Sequence, residues 1–450
     1  MRKLLLATIL VMVSTTSGYA AKPSTALRDY VKKPDATYKW KVRAEGELGK
    51  TRYAEVRLTS QTWQDIPWKH QLFVIKPSTV SEETKHALLF VAGGSWRASL
   101  EAADYEVKLP GEAQLFAQLA ERMRAPVAVL LHVPQQPIFD GKREDEIIAY
   151  TFEQYLKTGD AEWPLLLPMV KSAVRGMDAT QAYLKEQKGI DIETFTVAGA
   201  SKRGWTTWLT GAVDSRVTAL APIVIDVLNM SVQMRHQKQA WGKPSHMIQD
   251  YTRRGLIDAL ETERGKRLLS IVDPYAYLPQ IRQPKLLIIG TNDQYWPLDA
   301  LNNYWDQVIG PKYILYVPNR GHDASDYARL LGSINALNQH ASTGKALPDM
   351  TWKFQREGQK LTLDVASDTK PEKVQAWIAR SKTRDFRDAK WSGVPMQAHG
   401  GGFRHSIDTP DSGYVAIFGE GVFAAEAWPM YLSTTVRILG AEENQAPSNK

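Results

Sequence analysis

The chain contains no cysteine among its 450 residues. This absence excludes disulfide bonds and cysteine-ligated metal ions, and it also excludes a lipid anchor on an N-terminal cysteine. The sequence has no H-E-x-x-H motif, no phosphate-binding glycine loop and no dense group of metal-ligating residues. We therefore expect neither a metal ion nor an organic cofactor, and a fold that is stabilised by core packing.

Long hydrophobic runs are also missing, apart from one near the amino terminus. Residues 1–3 form a short positive segment, residues 4–13 are apolar, and Gly18-Tyr19-Ala20 offers a cleavage site. This is the pattern of a secretory signal peptide, and the apolar part is too short to span a bilayer. We expect residues 1–20 to be removed and the mature protein to be periplasmic or secreted, with no integral membrane segment.

Charge of one sign is not concentrated in runs. The 56 lysines and arginines outnumber the 49 aspartates and glutamates and give a net charge of +7, but both signs are interspersed. Nucleic-acid-binding surfaces are built from clustered basic residues. The sequence therefore predicts no nucleic-acid partner; the expected partner is a small substrate, and the oligomeric state is left open.

Short apolar segments that alternate with helical patterns are abundant. Residues 38–77 alternate polar and apolar side chains, as antiparallel strands do. Continuous apolar segments, typical of strands buried on both faces, follow at residues 87–92, 126–131, 195–198, 217–225, 286–289 and 313–317. An apolar stripe at helical spacing runs through residues 165–185. The pattern predicts an α/β fold, a mostly parallel sheet with helices on both faces.

Two parts of the chain depart from this alternation. Residues 228–278 are rich in aromatic and polar residues and form either a cap insertion over the sheet or a set of surface helices. After residue 346, short strand patterns without long helices, including residues 414–418 and 432–439, predict a β-sandwich. We expect a first domain at 21–346, an immunoglobulin- or fibronectin-like β-sandwich at 347–440 and a tail at 441–450.

Residues 199–204, Gly-Ala-Ser-Lys-Arg-Gly, lie between an apolar strand segment and a helical segment. A serine on a sharp strand-to-helix turn is pushed out of the sheet with its hydroxyl exposed, and the turn requires small neighbours. The usual motif is G-x-S-x-G, whereas Arg203 occupies the position of the second glycine and Gly204 follows it. We predict that Ser201 is a nucleophile.

An acid and a histidine follow Ser201 in the chain order that a nucleophile-elbow hydrolase requires. Asp293 comes after the apolar segment 286–289 and His322 after the segment 313–317. His322 would act as the general base, and Asp293 would orient its imidazole. Asp226, after the segment 217–225, is the alternative acid. The order predicts an α/β-hydrolase fold.

A serine hydrolase also needs two backbone N–H groups that bind the developing oxyanion. Lys202, directly after the nucleophile, would supply one of them. The other would come from the glycine-containing loop after the first parallel strand, at Gly94, Ser95 or Trp96. Trp205 and Trp296 are predicted to contact substrate, and such aromatic residues suit an extended or aromatic-bearing molecule.

Four segments resemble the PhoPQ-activated pathogenicity-related protein family: GASKRGW at 199–205, APIVID at 221–226, WPLLLPMVKSAV at 163–174 and the stretch 384–391. The resemblance covers nearly all of the mature chain. It implies an α/β-hydrolase domain with a C-terminal β-rich domain, and export. It also implies that the missing second elbow glycine is a family feature, while the family name describes regulation and adds little on substrate.

Two functions agree with these residues. The first is an exported serine hydrolase that cleaves an ester or a peptide bond through a Ser201 acyl-enzyme. The triad does not distinguish the two bonds, because both pass through the same tetrahedral intermediate. The second is a secreted binding or signalling protein on a hydrolase scaffold with an idle triad.

Overall fold

The structure is a computed structural model that describes residues 23–102 and 104–441. The predicted signal peptide at 1–20 lies outside the described residues, as does the predicted tail from residue 442 onward. Within the described part, no helix is both long enough and apolar enough to cross a membrane.

A nine-stranded sheet forms the first part of the chain. Its strands are β1 (Lys39–Leu48), β2 (Thr51–Trp63), β3 (Ile66–Lys76), β4 (His86–Val91), β5 (Val127–Leu130), β6 (Thr194–Ala200), β7 (Val217–Ile223), β8 (Lys285–Gly290) and β9 (Lys312–Val317). The order is β1-β2-β3-β5-β4-β6-β7-β8-β9, with β1, β2 and β3 paired antiparallel and β4 to β9 parallel to one another. The predicted mostly parallel sheet is confirmed.

Helices lie along and between these strands. They are α1 (Ala26–Lys32), α2 (Ala113–Met123), α3 (Glu144–Thr158), α4 (Leu166–Lys188), α5 (Lys202–Val213), α6 (Met230–Trp241), α7 (Gln249–Thr252), α8 (Leu256–Ala259), α9 (Glu263–Val272), α10 (Pro274–Tyr277) and α11 (Tyr327–Thr343). Short 3-10 helices occupy Ala98–Glu101, His246–Ile248, Leu278–Gln280, Ala300–Asn303 and Trp305–Gln307. The long α4 ends at Lys188 and is capped by Gly189, whose φ of 68° is the left-handed conformation that closes many helices.

Both faces of the parallel sheet are covered, which explains its continuous apolar segments. Successive side chains of β4 enter two different cores, because a strand alternates its side chains between faces. Ala87, Leu89 and Val91 join the core that contains α4 and α5. Leu88 joins the core that contains α2 and α11. This arrangement, with the segment α6 to α10 inserted between β7 and β8, is the α/β-hydrolase fold.

A β-rich part follows α11. Its strands are β10 (Met350–Glu357), β11 (Lys360–Ser367), β12 (Lys373–Ser381), β13 (Ser392–Pro395), β14 (Gln397–His399), β15 (Gly402–Asp408), β16 (Tyr414–Phe423), β17 (Met430–Ser433) and β18 (Arg437–Gly440). They form two antiparallel sheets, β10-β11-β15-β14 and β13-β12-β16-β17, with β18 also paired to β16. The sheets approach closely, since a Cβ on Gly419 of β16 would lie 3.0 Å from the Val365 side chain of β11.

The apolar run 432–439, predicted as a single strand, is two strands, β17 and β18. The interruption has a local cause at Thr434. Its hydroxyl accepts a hydrogen bond from the Gly419 N–H at 2.9 Å, and its own N–H donates to the Gly419 carbonyl. The Thr434 hydroxyl therefore takes the place of a backbone carbonyl as the acceptor for one N–H of β16.

Candidate active site

Ser201 is the single residue between the end of β6 at Ala200 and the start of α5 at Lys202. Its φ of 57° and ψ of −125° form a backbone conformation that residues with a side chain rarely adopt. Its N–H donates to the Ile223 carbonyl at 2.8 Å, which ties the turn to β7. Strained backbone of this kind collects at functional positions.

The departure from the usual elbow motif has a structural explanation. A Cβ on Gly204 would lie 2.9 Å from the Gly199 carbonyl oxygen and 3.0 Å from that of Ile223. A Cβ on Gly199 would lie 2.7 Å from the Arg203 carbonyl oxygen. Gly204 therefore allows the close approach of α5 to β6. Because Gly204 fills this role, the preceding position can carry the long side chain of Arg203.

His322 and Asp293 lie beside Ser201, on the loops that follow β9 and β8. The Ser201 Oγ is 2.8 Å from His322 Nε2, and His322 Nδ1 is 2.8 Å from Asp293 Oδ2. The other Asp293 oxygen accepts from the Tyr295 N–H at 2.7 Å. With Nδ1–H donating to the carboxylate, Nε2 is the nitrogen that accepts the serine proton. The structure thus brings the three predicted residues into one hydrogen-bonded chain.

Asp226, the alternative acid, follows β7 and points elsewhere. It is 1% exposed, and its Oδ1 accepts a hydrogen bond from the Tyr304 hydroxyl. Burial, helped by the nearby Asp293 charge and opposed by the Tyr304 hydrogen bond, raises the pKa of Asp226 to about 7. His322 Nδ1 is occupied by Asp293, so the geometry favours Asp293 over Asp226 as the acid.

The loop after β4 carries the predicted second oxyanion donor. Gly94 has a φ of 120°, and a Cβ there would lie 2.8 Å from His132 Nδ1, so the position requires glycine. The Trp96 N–H donates to the Gln136 carbonyl at 3.0 Å and is not free to bind an oxyanion. This corrects the prediction for Trp96 and leaves Gly94 and Ser95. Lys202, as the first residue of α5, has an N–H without an acceptor inside its helix.

Arg203 is connected to this loop through Glu144 and Gln136. Its Nη1 and Nη2 donate to the two carboxylate oxygens of Glu144 at 2.8 and 2.7 Å, and its Nε donates to the Val133 carbonyl. Glu144 in turn accepts from Gln136 Nε2 at 2.7 Å, and the same amide donates to the Gly94 carbonyl at 2.9 Å. Burial would raise the pKa of Glu144, but the hydrogen bonds and charge of Arg203 outweigh it and lower that pKa to about 2.

The Arg203–Glu144 pair was not predicted from the sequence. The signal that could have found it is a large cation at a position where a glycine is usual. A buried guanidinium requires a carboxylate partner, but the sequence does not say which of its many acidic residues that is.

A second ion pair adjoins the first, since Lys202 Nζ lies 3.4 Å from Glu144 Oε2 and also pairs with Asp145. Lys202 is 7% exposed, and its Nζ donates to Asp145 Oδ2 at 2.8 Å. The Tyr251 and Tyr295 hydroxyls donate to the Asp145 oxygens at 3.0 and 3.3 Å. The Tyr295 ring also stacks on the His322 imidazole, with 4.1 Å between ring centroids.

Two cavities meet at Ser201. The first, called the inner pocket here, has a volume of about 60 Å³ and is lined by Trp205 and Trp296 together with side chains of the α6 to α8 segment. The second, called the α2–α11 groove, has a volume of about 390 Å³. The two tryptophans predicted to contact substrate therefore face the same cavity as the serine.

The C-terminal sheets reach the loops that carry Asp293 and His322. Asn292 Nδ2 lies within hydrogen-bond distance of three backbone carbonyls of the segment between β12 and β13, at 3.3, 3.0 and 2.7 Å from Phe386, Arg387 and Ala389. Asn319 exchanges two hydrogen bonds with the Trp391 backbone, at 3.0 and 2.8 Å. The segment 384–391 thus contacts both loops.

Across residues 23–102 and 104–441, no group of three or more histidine, aspartate and glutamate side chains is arranged to hold a metal ion. The Ser201 hydroxyl, the His322 imidazole and the Asp293 carboxylate are hydrogen-bonded in a chain, and Asp293 also accepts from the Tyr295 backbone N–H. The site offers acid–base and nucleophilic chemistry through its own side chains.

Comparison with known families and proteins gives two matches along the sequence. The model of the PhoPQ-activated pathogenicity-related protein family matches residues 27–387. "Autocrine proliferation repressor protein A" of Dictyostelium discoideum is 34% identical over 411 residues, which cover 86% of this chain and 80% of that protein. The residues matched by the family model include the elbow and the loops of Asp293 and His322.

Solved structures give more distant matches. The acetyl xylan esterase from Paenibacillus sp. R4 has a TM-score of 0.45 and 14% identity, covering 66% of this chain and 87% of that chain. Acetyl xylan esterase 1 from Thermoanaerobacterium sp. JW/SL YS485 has a TM-score of 0.44 and 16% identity, covering 67% and 90%.

Proposed function

The chain belongs to the PhoPQ-activated pathogenicity-related protein family, and from its site we propose that it acts as an exported serine hydrolase. The reaction is the cleavage of an ester or amide bond through an acyl-enzyme on Ser201. The family name describes regulation, so the proposal rests on the geometry of the site.

The hydrogen-bonded chain from Ser201 Oγ through His322 to Asp293 carries the proposal, with 2.8 Å at each step. An isolated serine hydroxyl is a weak nucleophile, and a histidine in hydrogen-bond contact activates it. A carboxylate on the far nitrogen orients the imidazole and stabilises its charged form. Asp293 is 5% exposed, so little solvent weakens that interaction.

The proposed reaction proceeds in two halves. In the first, His322 Nε2 takes the hydroxyl proton while Ser201 Oγ bonds to the substrate carbonyl carbon, whose π electrons move onto its oxygen. The intermediate collapses, the bond to the leaving group breaks, and the leaving group receives the proton from Nε2. In the second, a water molecule attacks the acyl-enzyme in the same way and restores Ser201.

The negative oxygen of the intermediate lies near the N-terminal end of α5. The Lys202 N–H and one N–H of Gly94 or Ser95 are the proposed donors. Donors held in place before the reaction stabilise charge that develops only in the transition state. The Arg203–Glu144–Gln136 hydrogen bonds hold the Gly94 carbonyl and thereby the position of this loop.

Export is part of the proposal because residues 1–20 have the pattern of a cleavable signal peptide. The expected outcome of expressing the full chain is mature protein in the periplasm or the medium, with its N-terminus close to Ala21. Full-length protein retained in the cytoplasm would contradict it, and N-terminal sequencing of each fraction decides.

A second candidate function is an exported signalling or binding protein in which the triad is idle. The name of the Dictyostelium relative, an autocrine proliferation repressor, favours it. The complete Ser201–His322–Asp293 chain argues against an idle site, because a binding role needs none of these contacts.

Labelling with a fluorophosphonate probe tests the two. A hydrolase is labelled in the native state, and the Ser201→Ala variant is not. Equal labelling of both proteins, or labelling of neither, would contradict the hydrolase proposal. A panel of p-nitrophenyl esters and aminoacyl p-nitroanilides then separates esterase from peptidase activity.

A further inference from the structure

The inner pocket and the α2–α11 groove both open onto Ser201 but differ in their surroundings. Every residue that lines the inner pocket is buried or half-buried, including Trp205, Leu256 and Leu260. The groove runs between α2 and α11 and ends at exposed residues, Glu112, Asp323 and Tyr327. The side chains that line the inner pocket are therefore buried more deeply than those of the groove, which include exposed residues.

Resting on the proposed hydrolase function, we propose that the inner pocket holds the acyl group of the substrate and limits it to a short, uncharged, apolar chain. The leaving group lies in the α2–α11 groove. The acyl group stays on Ser201 until water attacks, so a pocket lined by buried side chains suits it. The leaving group takes its proton from His322 and departs, and Asp323, the next residue after His322, lines the groove.

The size of the inner pocket sets the length of the acyl chain. Its volume is about 60 Å³, less than half of the roughly 150 Å³ of an engineered protein cavity that binds benzene. An aromatic or long-chain acyl group does not fit without displacing the wall. The sequence-based expectation of an extended or aromatic-bearing substrate is therefore confined to the leaving-group side.

The lining chemistry selects against charged acyl groups. Among the residues that line the pocket, Asp145 carries the carboxylate, which is the group that could select a cation. It already receives hydrogen bonds from Lys202 Nζ, the Tyr251 hydroxyl and the Tyr295 hydroxyl. A cationic acyl group would have to displace Lys202 from a carboxylate that is satisfied, and burying an unpaired charge is costly.

Two side chains of the insertion between β7 and β8 form part of the wall of the inner pocket. Met234 of α6 and Leu256 of α8 are 8% and 3% exposed, and both line the pocket. Removing either side chain should lengthen the pocket without touching the Ser201–His322–Asp293 chain. The insertion between β7 and β8 thus sets acyl length.

The experiment is a series of p-nitrophenyl esters from acetyl to octanoyl, in which only the acyl chain changes. We expect kcat/KM to be highest for the shortest acyl groups and to fall by about tenfold or more for a methylene that no longer fits. Leu256→Ala and Met234→Ala should each raise the hexanoyl-to-acetyl ratio by about tenfold. A second series, with a fixed acetyl group and leaving alcohols from phenol to naphthol, should change kcat/KM much less.

Leu268→Ala is the matched control, because Leu268 of α9 is fully buried in the same insertion but does not line the pocket. Its acyl-length profile should match the parent enzyme. Two outcomes would overturn the pocket assignment alone, provided that the fluorophosphonate probe still labels Ser201. In the first, kcat/KM does not change with acyl length. In the second, kcat/KM changes only with the leaving alcohol. Absence of both labelling and ester turnover overturns the hydrolase proposal and the assignment with it.

Discussion

At the scale of single residues, the two candidate acids show how environment separates equivalent sequence positions. Asp226 and Asp293 each follow a parallel strand, and either could be the acid by chain order alone. Asp293 bonds to His322 Nδ1 at 2.8 Å. Asp226 bonds to Tyr304 in the core, where burial disfavours the charged carboxylate and raises its pKa to about 7.

Exchanging each carboxyl for an amide tests this assignment. Asp293→Asn should lower kcat by about 10⁴-fold, because an amide favours the wrong imidazole tautomer while preserving shape. Asp226→Asn should retain kcat within about threefold, since it does not contact the imidazole. Steady-state kinetics on the best ester substrate decide, and the opposite pattern would make Asp226 the acid.

The raised pKa of Asp226 also predicts how stability changes with pH. Its pKa rises from 3.8 to about 7 on folding, so between these values the folded chain holds a proton that the unfolded chain has released. Stability therefore falls as pH rises through this window. Asp226→Asn, which keeps an oxygen for the Tyr304 hydroxyl, should match the parent Tm at pH 4 and exceed it by several degrees at pH 8. Parallel Tm profiles would contradict the raised pKa.

At the scale of elements, the Arg203–Glu144 ion pair links the start of α5 to the start of α3, and the Gln136 amide connects Glu144 to the loop after β4. Arg203→Lys keeps a positive charge but loses the two-pronged contact with Glu144, and Arg203→Gly restores the common elbow spacing without the contact. Both should lower kcat about 10- to 100-fold, because a small displacement of a catalytic group is costly. Arg216→Lys is the control and should leave kcat unchanged. Arg216 also makes a two-pronged contact with a carboxylate, because its Nε and Nη2 donate to the two Asp214 oxygens at 3.0 and 2.7 Å. Unchanged kcat in Arg203→Gly would show that the loop needs no such support.

The loop that carries Asp293 depends on a second element, the segment between β12 and β13. Asn292→Ala removes an amide that lies 2.7 to 3.3 Å from three of its carbonyls. We expect kcat to fall about tenfold or more with little change in KM, because Asp293 and His322 lose alignment while the pockets stay intact.

Asn302→Ala provides the comparison for this prediction. Asn302 also joins the two parts of the chain, through a 3.0 Å hydrogen bond to the Val436 carbonyl. It should lower Tm and leave kcat unchanged. Equal effects of the two substitutions on kcat would mean that Asn292 has only a structural role.

At the scale of the whole molecule, the α/β-hydrolase part and the β-rich part share a buried interface. Arg329 of α11 meets Glu420 of β16 at 3.2 Å, and the Glu420 side chain is fully buried. Ser333 exchanges hydrogen bonds with the Tyr431 backbone at 3.2 and 3.0 Å. A Cβ on Gly332 would lie 2.1 Å from the Pro429 carbonyl oxygen, which shows how closely α11 approaches the second part.

This interface predicts that the two parts unfold together. Glu420→Ala leaves Arg329 with one carboxylate fewer in a buried setting and should destabilise the protein by about 3 kcal/mol. Asp364→Ala, which removes a more exposed pair with Arg404, should cost less than about 1 kcal/mol. Calorimetry should show a single transition that moves down in Glu420→Ala; two transitions, with one unmoved, would contradict a shared interface.

The sequence by itself determined the sheet and the order of the residues at its edge. Buried parallel strands require continuous apolar segments, and their carboxyl ends share one edge, so residues 201, 293 and 322 had to lie near one another. The family followed from the same segments.

Only the tertiary structure decided what those residues touch. It showed that Asp293 rather than Asp226 meets His322, that the Trp96 N–H is already bonded, and that Arg203 grips Glu144. It also showed the small inner pocket beside Ser201. These outcomes depend on distances of a few ångströms between side chains that are far apart in the chain, and no local periodicity of the sequence encodes such distances.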